Sequence, residues 1–293
     1  SVWRVSEDGE IRDPFKRLTA LFEMKEENFF LYYNNKQTYS EIHSLFQEWQ
    51  NEHDKLMKRL PELPLSNVWI AQITSKFLPE NSVLHLGILN SLRSWNLFEI
   101  PNSVNSYSNV GGFGIDGIIS TAVGASLATP DKIHFCILGD LATFYDLNIL
   151  GNRHLRNNLR VIVINNGTGY EMHTSNSIGK QFSDQVADMY FAAGGHNGNQ
   201  SRNILKHFSE DLGFEYIPIE SKEDYLNNVE YITSSQKHDK ALLVEVFVSM
   251  QNDDFSYDVT KKTVISSQTA IKDMARSILG EDKIRGIKRI IGK

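Results

Sequence analysis

One cysteine, Cys136, stands among 293 residues, so no internal disulfide can form and the fold must be held by burial alone. That cysteine lies inside an apolar run, Ile133 to Leu138, which marks it as a buried structural thiol rather than a reactive one. Basic residues are also in short supply. Lys and Arg number 30 against 36 Asp and Glu, a net charge of −6, so there is no basic excess to neutralise phosphates and nucleic acid is not an expected partner. No apolar run approaches the roughly 20 residues that span a bilayer. The start, SVWRVSEDGEIRDP, carries no apolar signal region, and a cytoplasmic location is the expectation. With 41% hydrophobic residues, the chain has the composition of a globular protein with a full three-layer core.

What is present is organised around Ile133 to His173. Two short runs rich in branched residues, Ile133 to Leu138 and Leu159 to Ile164, each end in a polar or glycine-bearing turn and read as buried strands. Between them, Ala142 to Leu155 places apolar side chains at helical spacing without proline. The unit is a βαβ crossover. Further strand patterns at Val83 to Leu86, Phe214 to Ile219 and Ala241 to Phe247 alternate with helical ones at Asn67 to Phe77, Ile204 to Leu212 and Lys222 to Ile232. The expected fold is therefore α/β, a mainly parallel sheet of about five or six strands with helices on both faces.

Ligands of open parallel sheets bind beyond the carboxyl ends of the strands. There the first strand of the crossover offers Gly139-Asp140 and the second Asn165-Asn166-Gly167. A carboxylate, an amide oxygen and a nearby turn carbonyl are hard ligands suited to Mg²⁺ or Ca²⁺. The plainer reading is that Asp140 caps the following helix and the Asn pair makes a turn. Their joint occurrence one crossover apart favours the ligand reading.

Gly-Asp, about two dozen residues, then Asn-Asn resembles the signature of thiamine-diphosphate enzymes. The stretch GDLATFYDLNIL, with Leu141 where most of those enzymes have a second glycine, is similar to the menaquinone-pathway SEPHCHC synthases. So is Tyr107-Ser108-Asn109, Gly111 and Gly114-Ile115-Asp116-Gly117 before the helix IISTAVGASLA. The likeness runs roughly from Trp69 to Phe247. It implies the diphosphate-binding domain of a thiamine-diphosphate- and Mg²⁺-dependent 2-oxo-acid decarboxylase or carboligase. By resemblance, Asp140, Asn166 and the Thr168 carbonyl hold the metal. Gly114, Ile115, Asp116, Gly139, Leu141, Gly169, Tyr170 and Met172 join them around the cofactor, Ile115 lying under its bent form. Glu171 and His173 are the candidate catalytic groups.

Against the family's GNSxxxR loop, Gly87 and Arg93 match while Ile88 and Leu89 replace Asn and Ser. Arg93 is the candidate substrate-carboxylate anchor. Val110 stands where the family has a substrate-pairing Arg, so an altered substrate is expected. The family also uses a Glu from a pyrimidine-binding domain, normally on a second subunit. No segment corresponds to it, so the chain is expected to be a fragment or half of a split enzyme, inactive alone, that works as a homodimer or homotetramer.

The expected division is 1–36, the remnant of a preceding middle domain with strand-like pieces at Val2 to Val5 and Phe29 to Tyr33; 37–250, the cofactor domain; and 251–293, a helical extension. A helix is expected over Tyr39 to Leu60, capped by Thr38 or Ser40, and a basic one over Ala270 to Ile291. Asn252-Asp253-Asp254 reads as a break. Two other readings stay open. Gly112 to Gly117 also matches GxGxxG, with Asp140 as the later acid, which would suit a nicotinamide dehydrogenase. Against it, Pro101 to Asn109 is polar, with no apolar strand feeding the glycines. A degenerate, non-catalytic module would explain the replaced polar anchors.

Overall fold

A computed structural model describes residues 2–35, 42–112, 114–174, 177–195 and 201–264. The expected basic helix and the caps Thr38 and Ser40 lie outside them. The chain divides into two compact units, 1–59 and 60–293.

In the first unit, β1 (Val2–Val5) and β2 (Leu18–Phe22) pair in parallel, followed by α1 (Glu26–Asn34) and α2 (Ile42–Arg59). Phe29 to Tyr33, expected as a strand, is helical. Its aromatic run mimics a strand locally, but Glu26 and Glu27 suit a first helical turn. On that helix Phe29 meets Phe22 and Trp3, at ring-centroid distances of 5.0 and 6.4 Å. The strand of this region is β2 instead.

The second unit is built on six parallel strands in the order β4-β3-β5-β6-β8-β7. In chain order they are β3 (Val83–Leu86), β4 (Asn105–Ser108), β5 (His134–Gly139), β6 (Leu159–Asn165), β7 (Glu215–Ile219) and β8 (Leu242–Phe247). Side-chain alternation splits the core into two layers. Phe135, Ile137, Ile162, Ile164, Val244 and Val246 face α3 (Asn67–Thr74) and α9 (Lys222–Ile232). Cys136, Leu138, Val161, Val163 and Leu243 face α5 (Ile118–Ala128) and α8 (Ile204–Asp211). The sheet is thus covered on both faces, as expected for buried parallel strands.

β4 corrects the expectation that Pro101 to Asn109 contains no strand. It is polar and largely exposed because it is the sheet edge, so burial wrote no apolar pattern into it. The crossover helix is shorter than its periodicity suggested: α6 (Asp140–Asp146) begins at the aspartate itself and gives way to a 3-10 turn, Leu147–Gly151. Asn252 to Asp254, expected as a break, lies inside a helix. Two more helices complete the unit, α4 (Asn90–Trp95) and, over the long loop after β6, α7 (Asp184–Tyr190). The last helix among the described residues is α10 (Met250–Val264).

Strand order reverses between β3 and β5. The chain leaves β3 for the edge at β4, then returns to β5 and proceeds to β6. The helices after β3 and β5 pack on opposite faces, Trp95 in one core layer and Ala142 in the other. Such a switch point opens a crevice at the carboxyl ends of the strands.

Candidate active site

Gly139 pairs with Ile164 in register, so β5 and β6 deliver Asp140 and the Asn pair side by side. The two asparagines then part. Asn165 donates through Nδ2 to Glu245 Oε1 at 2.6 Å, and Glu245 also accepts the Tyr216 hydroxyl at 2.7 Å. Glu245 is buried on β8, and burial raises its carboxyl pKa. Asn165 is thereby committed to the sheet, and Asn166 reaches the crevice.

A cavity of about 80 Å³ sits there. From the sequence-predicted set it gathers Ile115, Gly139, Asp140, Leu141, Asn166, Thr168, Gly169, Tyr170 and Glu171, with Ile88 and Leu89 from the turn after β3. The oxygen donors hold one another in place. Asp140, only 1% exposed, accepts the Gly167 N–H at 3.1 Å. Asn166 Oδ1 accepts the Thr168 N–H at 3.3 Å, and the Thr168 carbonyl accepts the Tyr170 N–H at 2.9 Å. Gly167 turns the chain at φ +80°, a region side chains avoid. Gly169 has a different reason: a Cβ there would lie 2.9 Å from the Ala192 carbonyl and 3.3 Å from Leu141. One carboxylate, one amide oxygen and one carbonyl, all bordering one cavity, fit a hard divalent cation. Among the described residues no cluster of three His, Cys, Asp or Glu offers another metal site.

The remaining candidates lie off the cavity wall. Gly114, Asp116 and Met172 do not line it, and Val110 is 52% exposed. His173 is buried, with Nε2 2.7 Å from Asp188 Oδ1, where it braces the loop against α7. Arg93, on the last turn of α4, forms an ion pair with Glu171. The GxGxxG segment follows the edge strand and contributes Ile115 to the crevice.

Sequence reasoning missed a second layer. Asp253 on α10, 2% exposed, accepts the Asn67 N–H at 2.7 Å and the Asn166 Nδ2 at 3.1 Å. Its neighbour Asp254 accepts the Tyr170 hydroxyl at 2.8 Å. Two successive carboxylates thus tie both ends of the 166–170 loop to α10. Burial, with Asp254 and Asp140 nearby, pushes the Asp253 carboxyl up to about 6. Burial and the Asp254 bond likewise raise the Tyr170 phenol. In the sequence the adjacent acids read only as part of a break, and nothing local names partners more than eighty residues away.

No protein-family model matches the chain. Over 256 residues it is 30% identical to the 2-succinyl-5-enolpyruvyl-6-hydroxy-3-cyclohexene-1-carboxylate synthase of Bacteroides thetaiotaomicron, covering 86% of this chain and 43% of that protein. The enzyme of the same name from Christiangramia forsetii is 41% identical over 120 residues, which are 41% of this chain and 20% of that one. Among solved structures, a thiamine diphosphate-dependent 4-hydroxybenzoylformate decarboxylase of Rhodococcus jostii matches with a TM-score of 0.47 at 16% identity, covering 64% of this chain and 33% of that one. The chain spans less than half the length of the curated relatives it matches.

Proposed function

The chain is a homologue of the 2-succinyl-5-enolpyruvyl-6-hydroxy-3-cyclohexene-1-carboxylate synthases, and from that premise we propose that it is the diphosphate-binding part of a thiamine-diphosphate- and Mg²⁺-dependent enzyme acting on a 2-oxo acid. The observation that carries this reading is the convergence of Asp140, Asn166 and Thr168 on one cavity at the switch point of the sheet. Asp140, the Asn166 amide oxygen and the Thr168 carbonyl would hold Mg²⁺, and through it the diphosphate. When bound, the cofactor supplies an electron sink for the carbon left by decarboxylation of the 2-oxo acid.

The chain's own residues bind, orient and exclude water. Ile88, Leu89, Ile115 and Leu141 give the cavity an apolar wall, which strengthens electrostatic interactions inside it. Gly169 lets the loop pack closely against the Ala192 carbonyl, and the Asp254 bond fixes the Tyr170 ring. His173 serves as a brace for the metal loop rather than as a proton donor to substrate, because Asp188 holds it away from the cavity. The acceptor, a pyrimidine-binding domain on this or another chain and a homodimeric or homotetrameric assembly complete the proposal. Turnover by the 293-residue chain alone is expected to be negligible.

Calorimetric titration with thiamine diphosphate, with and without Mg²⁺, tests the reading on the wild-type chain and on Asp140→Ala. Binding that needs the metal and disappears in the variant supports it. Equal binding by both proteins sinks it.

A further inference from the structure

The cavity has an uneven charge. Among the described residues its wall carries two acids, Asp140 and Glu171, and no Lys or Arg. The candidate cation Arg93 stands just outside, and its guanidinium is paired with Glu171. The pair is partly solvent-covered: the Arg93 side chain is 42% exposed and that of Glu171 25%. Glu171 is therefore the more enclosed partner, and it is also the one on the cavity wall. Its backbone is fixed, because the Glu171 carbonyl accepts both the hydroxyl and the N–H of Thr174, at 3.0 and 3.4 Å. A planar guanidinium is the residue group best matched to a substrate carboxylate. Here Nη1 of that guanidinium is already engaged from within the chain.

We propose that Glu171 is a specificity-determining residue that masks Arg93, so that the site selects a 2-oxo acid whose remaining side chain carries no second carboxylate. The inference rests on the reading of this cavity as the cofactor and substrate site. The mechanism is electrostatic exclusion. A second carboxylate entering beside Glu171 meets a like charge in a confined space and must compete with that residue for Arg93. An uncharged side chain meets the apolar wall that Ile88, Leu89 and Leu141 provide and gives up no such bond. Selectivity is thus set by a repulsive element more than by a new attractive one.

The test uses two independent measurements on the full chain. Thiamine diphosphate with Mg²⁺ is titrated first into wild type, Glu171→Gln and the double variant Glu171→Gln, Arg93→Met; this readout concerns only the cofactor reading. Succinate and butyrate are then titrated into the same proteins by NMR with and without the cofactor, so the second readout survives a failure of the first. Glu171→Gln keeps size and polarity while releasing the guanidinium. Succinate affinity is expected to rise about tenfold in Glu171→Gln, the scale of one released charge-assisted pair. The gain is expected to vanish in the double variant, with butyrate affinity the same in all three. Succinate binding that is equal in wild type and Glu171→Gln, or a gain that persists without Arg93, overturns the proposal. An unchanged thermal midpoint across the three proteins separates either result from misfolding.

Discussion

Replacing Asp253 with Ala removes the acceptor shared by α3 and the 166–170 loop. Two hydrogen bonds are lost at once, from the Asn67 N–H at 2.7 Å and the Asn166 Nδ2 at 3.1 Å, in a place where the side chain is 2% exposed. An N–H left buried without an acceptor costs about 1–3 kcal/mol, and bonds to a charged acceptor lie at the upper end of their range. Against this, the wild-type carboxylate is itself strained by burial, which is why its pKa sits near 6. Removing it recovers part of that cost. The net expectation is a loss of about 2 kcal/mol, read from the midpoint shift in urea with the slope unchanged. The same variant loosens the Asn166 amide, which then keeps only the Thr168 N–H on its Oδ1. Mn²⁺ affinity, followed by electron paramagnetic resonance in the presence of thiamine diphosphate, should fall about tenfold, as expected for loss of a partner that orients a metal ligand. Stability and Mn²⁺ affinity both unchanged would refute the account of α10 as a support for the site.

Other expectations follow from the same contacts. Arg160, fully buried on β6, donates to the carbonyls of Ile232, Ser234 and Gln236, each at 2.6 Å, so Arg160→Ala should destabilise the chain by about 3 kcal/mol in urea denaturation by removing all three bonds and leaving the Ile232 carbonyl buried and unpaired. His85 lies buried against His134, and burial with that neighbour pulls its pKa down to about 4 from 6.5. The folded state then binds fewer protons than the unfolded one between these values, so stability present above pH 6.5 is lost as pH falls toward 4. The loss is about 3 kcal/mol, visible in denaturation midpoints, and His85→Phe should remove most of it. Gly169→Ala pushes a methyl to within 2.9 Å of the Ala192 carbonyl, which should cost about 1–3 kcal/mol in urea denaturation and lower thiamine diphosphate affinity by calorimetry.

The parts of the fold legible in the sequence are those written by burial. β5, β6 and β8 lie in the sheet interior, so both their faces demanded branched apolar residues and their limits came out within a residue or two. β4 escaped because an exposed edge strand needs no such pattern, and its discovery matters, since it is the strand that feeds the glycine loop. Phe29 to Tyr33 was misread for the opposite reason: a run of aromatics suits strand and helix alike, and a tertiary cluster with Trp3 and Phe22 decided it. At the site, Asp140 and Asn166 were legible because the crossover fixes their separation in space. Glu171 was legible as an acid near the cavity, but its pairing with Arg93 joins residues 78 apart. Asp253 and Asp254 were read as a break in pattern because their partners, Asn67, Asn166 and Tyr170, are all distant in sequence.

The most direct test of the central claim is a crystal structure of the chain grown with thiamine diphosphate and Mn²⁺, with the metal located by its anomalous signal. The account predicts one strong peak at the carboxyl ends of β5 and β6, beside the Asp140 carboxylate, Asn166 Oδ1 and the Thr168 carbonyl, with the diphosphate held against it. A peak elsewhere, or a diphosphate bound with no metal between it and Asp140, would contradict it.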